Sequence, residues 1–167
     1  MIAAFIVVAA LMSGSPGTVI ATADRKPFPD VSVPDLNGKP ARVAGGDVVV
    51  LAFWASWCRP CLSELPRLQA VVARHPRVHG VAVSVDAGSA VGAVRATEKR
   101  LKLQPTWSVL HDKDGSALLG RVMPGASVPV VVVLDAQGRV AFRHEGYHPG
   151  DDVTVEQVVV ALLAEPR

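Results

Sequence analysis

An unbroken apolar run, Val48-Val49-Val50-Leu51-Ala52-Phe53, is followed within five residues by Cys58-Arg59-Pro60-Cys61. No polar residue interrupts the run, so a strand built from it must be covered on both faces. That demands a central strand in a sheet with a layer on either side, and it puts both cysteines where the chain leaves that strand. A helix is expected from about Cys58 to Arg74, kinked at Pro66, because proline removes an internal hydrogen bond.

The rest of the chain repeats the alternation. Val78 to Val85 reads as a second buried strand, and Ala87 to Leu103 carries Val91, Val94 and Leu101 at helix-like spacing. Trp107 to Leu110 is expected to be a short strand before the turn Asp112-Lys113-Asp114-Gly115. Val128-Pro129-Val130 through Leu134 reads as a third apolar strand with proline at its entry, where a missing N–H costs no ladder bond. Asp135-Ala136-Gln137-Gly138 turns the chain into an alternating partner strand, Arg139 to His144. Thr154-Val155-Glu156-Gln157 has the pattern of a capping box opening a last helix to about Ala164. Ahead of the first buried strand, Val31 to Val43 holds two short runs around Asn37-Gly38, a hairpin signal because both residues tolerate a positive φ. Strands alternating with helices, then a hairpin and a helix, give an α/β sandwich with a mixed central sheet.

Ile2 to Met12 is apolar and uncharged, and Ala21-Thr22-Ala23 supplies a small-x-small site. Residues 1–23 therefore read as a secretory signal or a retained membrane anchor, the alternative being a buried first element. Asp24 to Asp30 reads as a tether, and residues 31–167 as one domain. The first two readings place the domain outside the cytoplasm, in a bacterial periplasm or on the outer face of the membrane.

The chain has 17 Lys and Arg against 15 Asp and Glu, without a basic cluster, which argues against nucleic acid as a partner. Its only two cysteines are Cys58 and Cys61. A bridge closing so short a loop restrains the unfolded chain little, so the pair needs a chemical rather than a structural explanation. Residues three apart on a helix share a face, which lets the two sulfurs meet. At the helix start, Cys58 gains from unpaired N–H groups and the helix dipole, both of which stabilise a thiolate. Arg59 adds positive charge, and Arg59 with Pro60 tunes the thiol pKa. Cys61, one turn inside, lacks that help and should be the more buried thiol. Cys58 is thus the expected attacker of a substrate disulfide and Cys61 the resolver. The rival chemistry, half a zinc site, needs four ligands. No second Cys pair exists, and His144 and His148 read as solvated surface, so no metal is assigned.

Phe53-Trp54-Ala55-Ser56-Trp57-Cys58-Arg59-Pro60-Cys61-Leu62-Ser63-Glu64-Leu65-Pro66 resembles the active-site segment of the thioredoxin superfamily, in its exported TlpA/ResA-like branch. The likeness runs from about Phe28 to Leu163. It implies a thioredoxin-like three-layer sandwich, a mixed sheet flanked by helices, with an N-terminal β-hairpin extension. It also implies that Pro129 is a cis-proline facing the dithiol, the alternative being a trans proline opening a strand. Val128 then offers its backbone to a substrate strand, and Trp57 shapes the docking surface beside the disulfide. Cytosolic thioredoxins bury an Asp six residues before the first Cys, where this chain has Ala52. Glu64 matches an acid that many members of the branch place near the site. It is expected either to relay the Cys61 proton or to be a solvent-facing glutamate in the first turn.

By the same resemblance the chain is a thiol–disulfide oxidoreductase, a reductase of exported protein disulfides that draws electrons from a membrane thiol–disulfide donor. Typical tasks of the branch are cytochrome c maturation and assembly of an oxidase copper site. The protein would act as a monomer and without a cofactor. The rivals are a disulfide-forming oxidase and a copper chaperone without redox turnover; chaperones of this fold usually space their cysteines one residue wider.

Overall fold

A computed structural model describes residues 19–43, 47–103 and 107–166. The apolar run at Ile2 to Met12 lies outside the described residues. Among those described, no helix is long and apolar enough to cross a membrane.

A hairpin of β1 (Ser32–Pro34) and β2 (Pro40–Arg42) comes first, closed at Gly38 with φ 81°. The main sheet holds β3 (Val48–Trp54), β4 (Val78–Ser84), β5 (Trp107–His111), β6 (Val130–Leu134) and β7 (Val140–Glu145), in the order β5-β4-β3-β6-β7. The strands β3, β4 and β5 run parallel, while β6 is antiparallel to β3, and β7 to β6. Every residue of β3 is buried, as its apolar run requires. The helices are α1 (Arg59–Arg74), α2 (Val91–Leu101), α3 (Ala117–Val122) and α4 (Asp151–Leu163). One face of the sheet buries Val50, Ala52 and Trp54 with Leu65 and Leu68 of α1 and Val155, Val158 and Val159 of α4. The other buries Val49, Leu51 and Phe53 with Leu118, Leu119 and Val122 of α3. This alternation along β3 is what makes the three-layer thioredoxin-like sandwich.

Two local expectations differ from the structure, and a third feature was not foreseen in the sequence. Asp24 to Asp30 is no loose tether: Val140 N–H donates to Lys26 O at 2.8 Å and Phe28 N–H to Gly138 O at 2.9 Å, so the segment runs along β7. Arg25 is buried there, paired with Asp135 at 3.1 Å and with both oxygens of Glu165 at 2.7 Å. Its charge and the neighbouring prolines disguise a packed segment, because the partners lie far along the chain. Second, α4 opens at Asp151 rather than Thr154. The turn at His148 to Gly150, with Asp151 N–H donating to His148 O at 3.1 Å, sets the start, and Asp151 and Asp152 favour the positive helix end. Third, α3 is too short for a readable period; Asp112 nucleates it by accepting Leu118 N–H at 2.8 Å.

Candidate active site

The chain leaves β3 through Ala55, Ser56 and Trp57 and enters α1 at Cys58, the residue that caps it. Cys58 N–H donates to Ala55 O at 3.0 Å, and Cys58 Sγ accepts the backbone N–H of Cys61 at 3.3 Å. One orphan amide of the helix start thus points at sulfur, as the position of Cys58 in the sequence leads one to expect. Cys58 and Cys61 form a disulfide, with their Cα atoms 5.3 Å apart. Both belong to the core, and Cys61 is fully buried. Arg59 and Pro60 are exposed, and Trp57 stands 70% exposed beside the bridge.

The junction loop is held by a residue that the sequence reading missed. Asp86, buried just past β4, accepts Ser56 N–H at 2.9 Å, Ser56 Oγ–H at 2.6 Å and Ser84 Oγ–H at 2.7 Å. Its own carbonyl oxygen lies 2.8 Å from His111 Nε2. These bonds pin the turn that aims Cys58. Only a buried position directly after a strand could have flagged Asp86, and its partner Ser56 lies 30 residues away. Asp86→Ala leaves the Ser56 amide and two hydroxyls without their acceptor. It is expected to cost about 2–4 kcal/mol of stability, read by urea unfolding, with Asp86→Asn milder.

Glu64 takes the buried alternative. It lies on the inner face of α1, three residues past Cys61, at 2% exposure. Its Oε1 has no hydrogen-bond partner among the described residues. Burial pushes its carboxyl up to about 8, with the negative charge of Asp151 on α4 adding to the shift. Ala52, in the same core cluster as the dithiol, stands where a strand acid would sit. The Val128–Pro129 bond is cis, and Pro129 is buried. Val130 pairs with Phe53, so this loop enters the sheet at the end of β3 that delivers the cysteines. Val128, half-buried, packs against the core cluster that holds both sulfurs. The structure therefore gathers Trp57, Cys58, Cys61, Glu64, Val128 and Pro129 at one end of the sheet.

The AhpC/TSA family matches residues 25–143, a span that includes the disulfide, Glu64 and the cis-proline. The chain belongs to the AhpC/TSA family. Among curated relatives, the thioredoxin-like protein YneN of Bacillus subtilis is 33% identical over 122 residues, covering 71% of this chain and 69% of that protein. A thiol:disulfide interchange protein DsbE homolog of Paracoccus denitrificans is 32% identical over 123 residues, covering 71% of this chain and 63% of that protein. Among solved structures, a secreted Mycobacterium tuberculosis disulfide oxidoreductase homologous to Escherichia coli DsbE superposes with a TM-score of 0.68. It is 27% identical, covering 80% of this chain and 96% of that one. As an AhpC/TSA member with the DsbE/ResA-type cysteine pair, the chain is a thiol–disulfide oxidoreductase.

Proposed function

We propose that the protein is an extracytoplasmic dithiol reductase of disulfides in exported proteins. In the reduced chain the Cys58 thiolate attacks one sulfur of a substrate disulfide. That S–S bond breaks, one substrate thiolate leaves, and a mixed disulfide remains on Cys58. Cys61 then attacks Cys58 Sγ, which restores the internal bridge and releases the second substrate thiol. Two electrons pass from the dithiol to the substrate, and a membrane thiol–disulfide donor returns them. Cytochrome c maturation and oxidase copper-site assembly are tasks of this chemical kind. The names of the DsbE and ResA relatives and of the secreted structural neighbour support this reading, as does the apolar run at the start of the sequence.

The observation that carries the proposal is the Cys58–Cys61 bridge at the start of α1, with the cis-Pro129 loop entering the sheet at the same end of β3. Glu64, buried on α1 three residues past Cys61 with its carboxyl raised to about 8, is the group this reading assigns to exchange a proton with Cys61. Trp57 and the Val128 backbone offer the docking edge, with the substrate added as a strand.

The reduction potential tests the direction of electron flow. A value near that of thioredoxin, about −270 mV, is expected; one near that of DsbA, about −120 mV, would make the protein an oxidase instead. A reduced chain that carries one copper through gel filtration, and leaves insulin disulfides intact, would make it a chaperone.

A further inference from the structure

His144 sits one residue before the end of β7, paired with Val131, and His148 lies in the turn before α4. Folding adds a third donor from the first residue of that helix. Asp151 Oδ2 lies 3.2 Å from His144 Nε2 and 3.8 Å from His148 Nδ1, and the three donor atoms fall within 4.8 Å of one another. The two imidazoles are tilted at 55° with centroids 6.3 Å apart, so the rings converge on the carboxylate without stacking. Two nitrogens and one carboxylate oxygen are a donor set for borderline first-row divalent cations.

We propose that His144, His148 and Asp151 bind a divalent cation of the Zn²⁺ class, with the fourth coordination position open to water or to a group from a partner. Four-coordinate zinc with ligands at about 2.0–2.1 Å separates its donors by roughly 3.3 Å. The His144–Asp151 edge already has that length at 3.2 Å. Closing the other edges requires a rotation of the His148 side chain, which is 75% exposed and free to make it. The backbone beneath is fixed: His148 N–H donates to Asp151 Oδ2 at 2.5 Å, and Asp151 N–H donates to His148 O at 3.1 Å. Gly150, at φ 104°, supplies the left-handed residue this turn needs. The Asp151 carboxylate is 9% exposed, which shields one side of the cation, and His148 covers the other. Binding makes two metal–nitrogen bonds and one metal–oxygen bond. These bonds replace the contact between His144 Nε2 and Asp151 Oδ2.

A plain ion pair between His144 and Asp151, with His148 at 3.8 Å as a weaker second partner, is the competing explanation, and it needs no cation. The test uses the tag-free chain with the disulfide closed, so that the cysteines cannot bind metal. Zn²⁺ is titrated by calorimetry, and Co²⁺ is followed by its visible absorption. One equivalent of each is expected, with no thiolate-to-cobalt band. His148→Ala, a change to an exposed side chain that leaves the ion pair intact, is expected to weaken binding about 10- to 100-fold. Asp151→Asn, which keeps an oxygen to accept His148 N–H, is expected to weaken it comparably. Absence of saturable binding, or binding that His148→Ala leaves unchanged, would overturn the site.

Discussion

Replacing Cys61 with serine is expected to abolish turnover and to leave the chain covalently joined to its substrates through Cys58. The first attack needs only the Cys58 sulfur, whose surroundings the variant preserves: the backbone N–H of residue 61 still points at Sγ. The second step has lost its nucleophile, so the mixed disulfide persists. Cys58→Ser is expected to abolish both turnover and trapping, because serine near neutral pH offers no comparable anion. Non-reducing electrophoresis with mass spectrometry reads both outcomes and names the captured proteins. Trapping on Cys61 when Cys58 is replaced would reverse the proposed roles. The burial of the pair argues against that, since Cys61 on the inner face of α1 is 0% exposed against 4% for Cys58 at its cap.

The pH dependence of folding should change as markedly in Glu64→Gln. The carboxyl rises from an ordinary 4.5 to about 8 on folding, chiefly through burial. Between those values the folded chain holds a proton that the unfolded chain has lost. Stability therefore falls as pH rises through this window, by roughly 1.4 kcal/mol per pH unit. Below about 4.5 the group contributes nothing, and above about 8 the full cost, on the order of 3–5 kcal/mol, is in place. Glu64→Gln removes that slope, so urea unfolding between pH 5 and about 8.5 should give a nearly flat profile where the parent declines. The variant should be the more stable chain at the alkaline end. A parent profile already flat in this window would mean that Glu64 ionises freely, and the proton-relay role would fall with it. In the enzyme assay the same variant should slow the resolving step while leaving the first attack on substrate intact.

Much of this was legible along the chain. The uninterrupted run from Val48 had to become a central strand, since alternation is absent only where both faces are covered. Asn37-Gly38 had to turn, and the cysteines had to fall at a strand-to-helix junction. The errors share one cause. Arg25, the short α3 and the start of α4 are each decided by contacts with residues distant or irregularly placed in sequence, and no local period reports them. The site divides in the same way. Cys58 and Cys61 lie within one helical turn, so their pairing and unequal burial follow from helix geometry alone.

Glu64 was visible as an acid three residues past Cys61, but its burial was not. An exposed glutamate and a buried one read the same in a string of letters. Only the closure of α1 against the sheet and the approach of α4 with Asp151 removed its water and raised its pKa. Asp86 reached Ser56, and Asp151 reached His144 and His148, by the same route. The opening feature, an apolar strand running into two cysteines, thus determined the fold and the reacting atoms. Tertiary structure decided the protonation around them, because dielectric and charge depend on which segments meet in space.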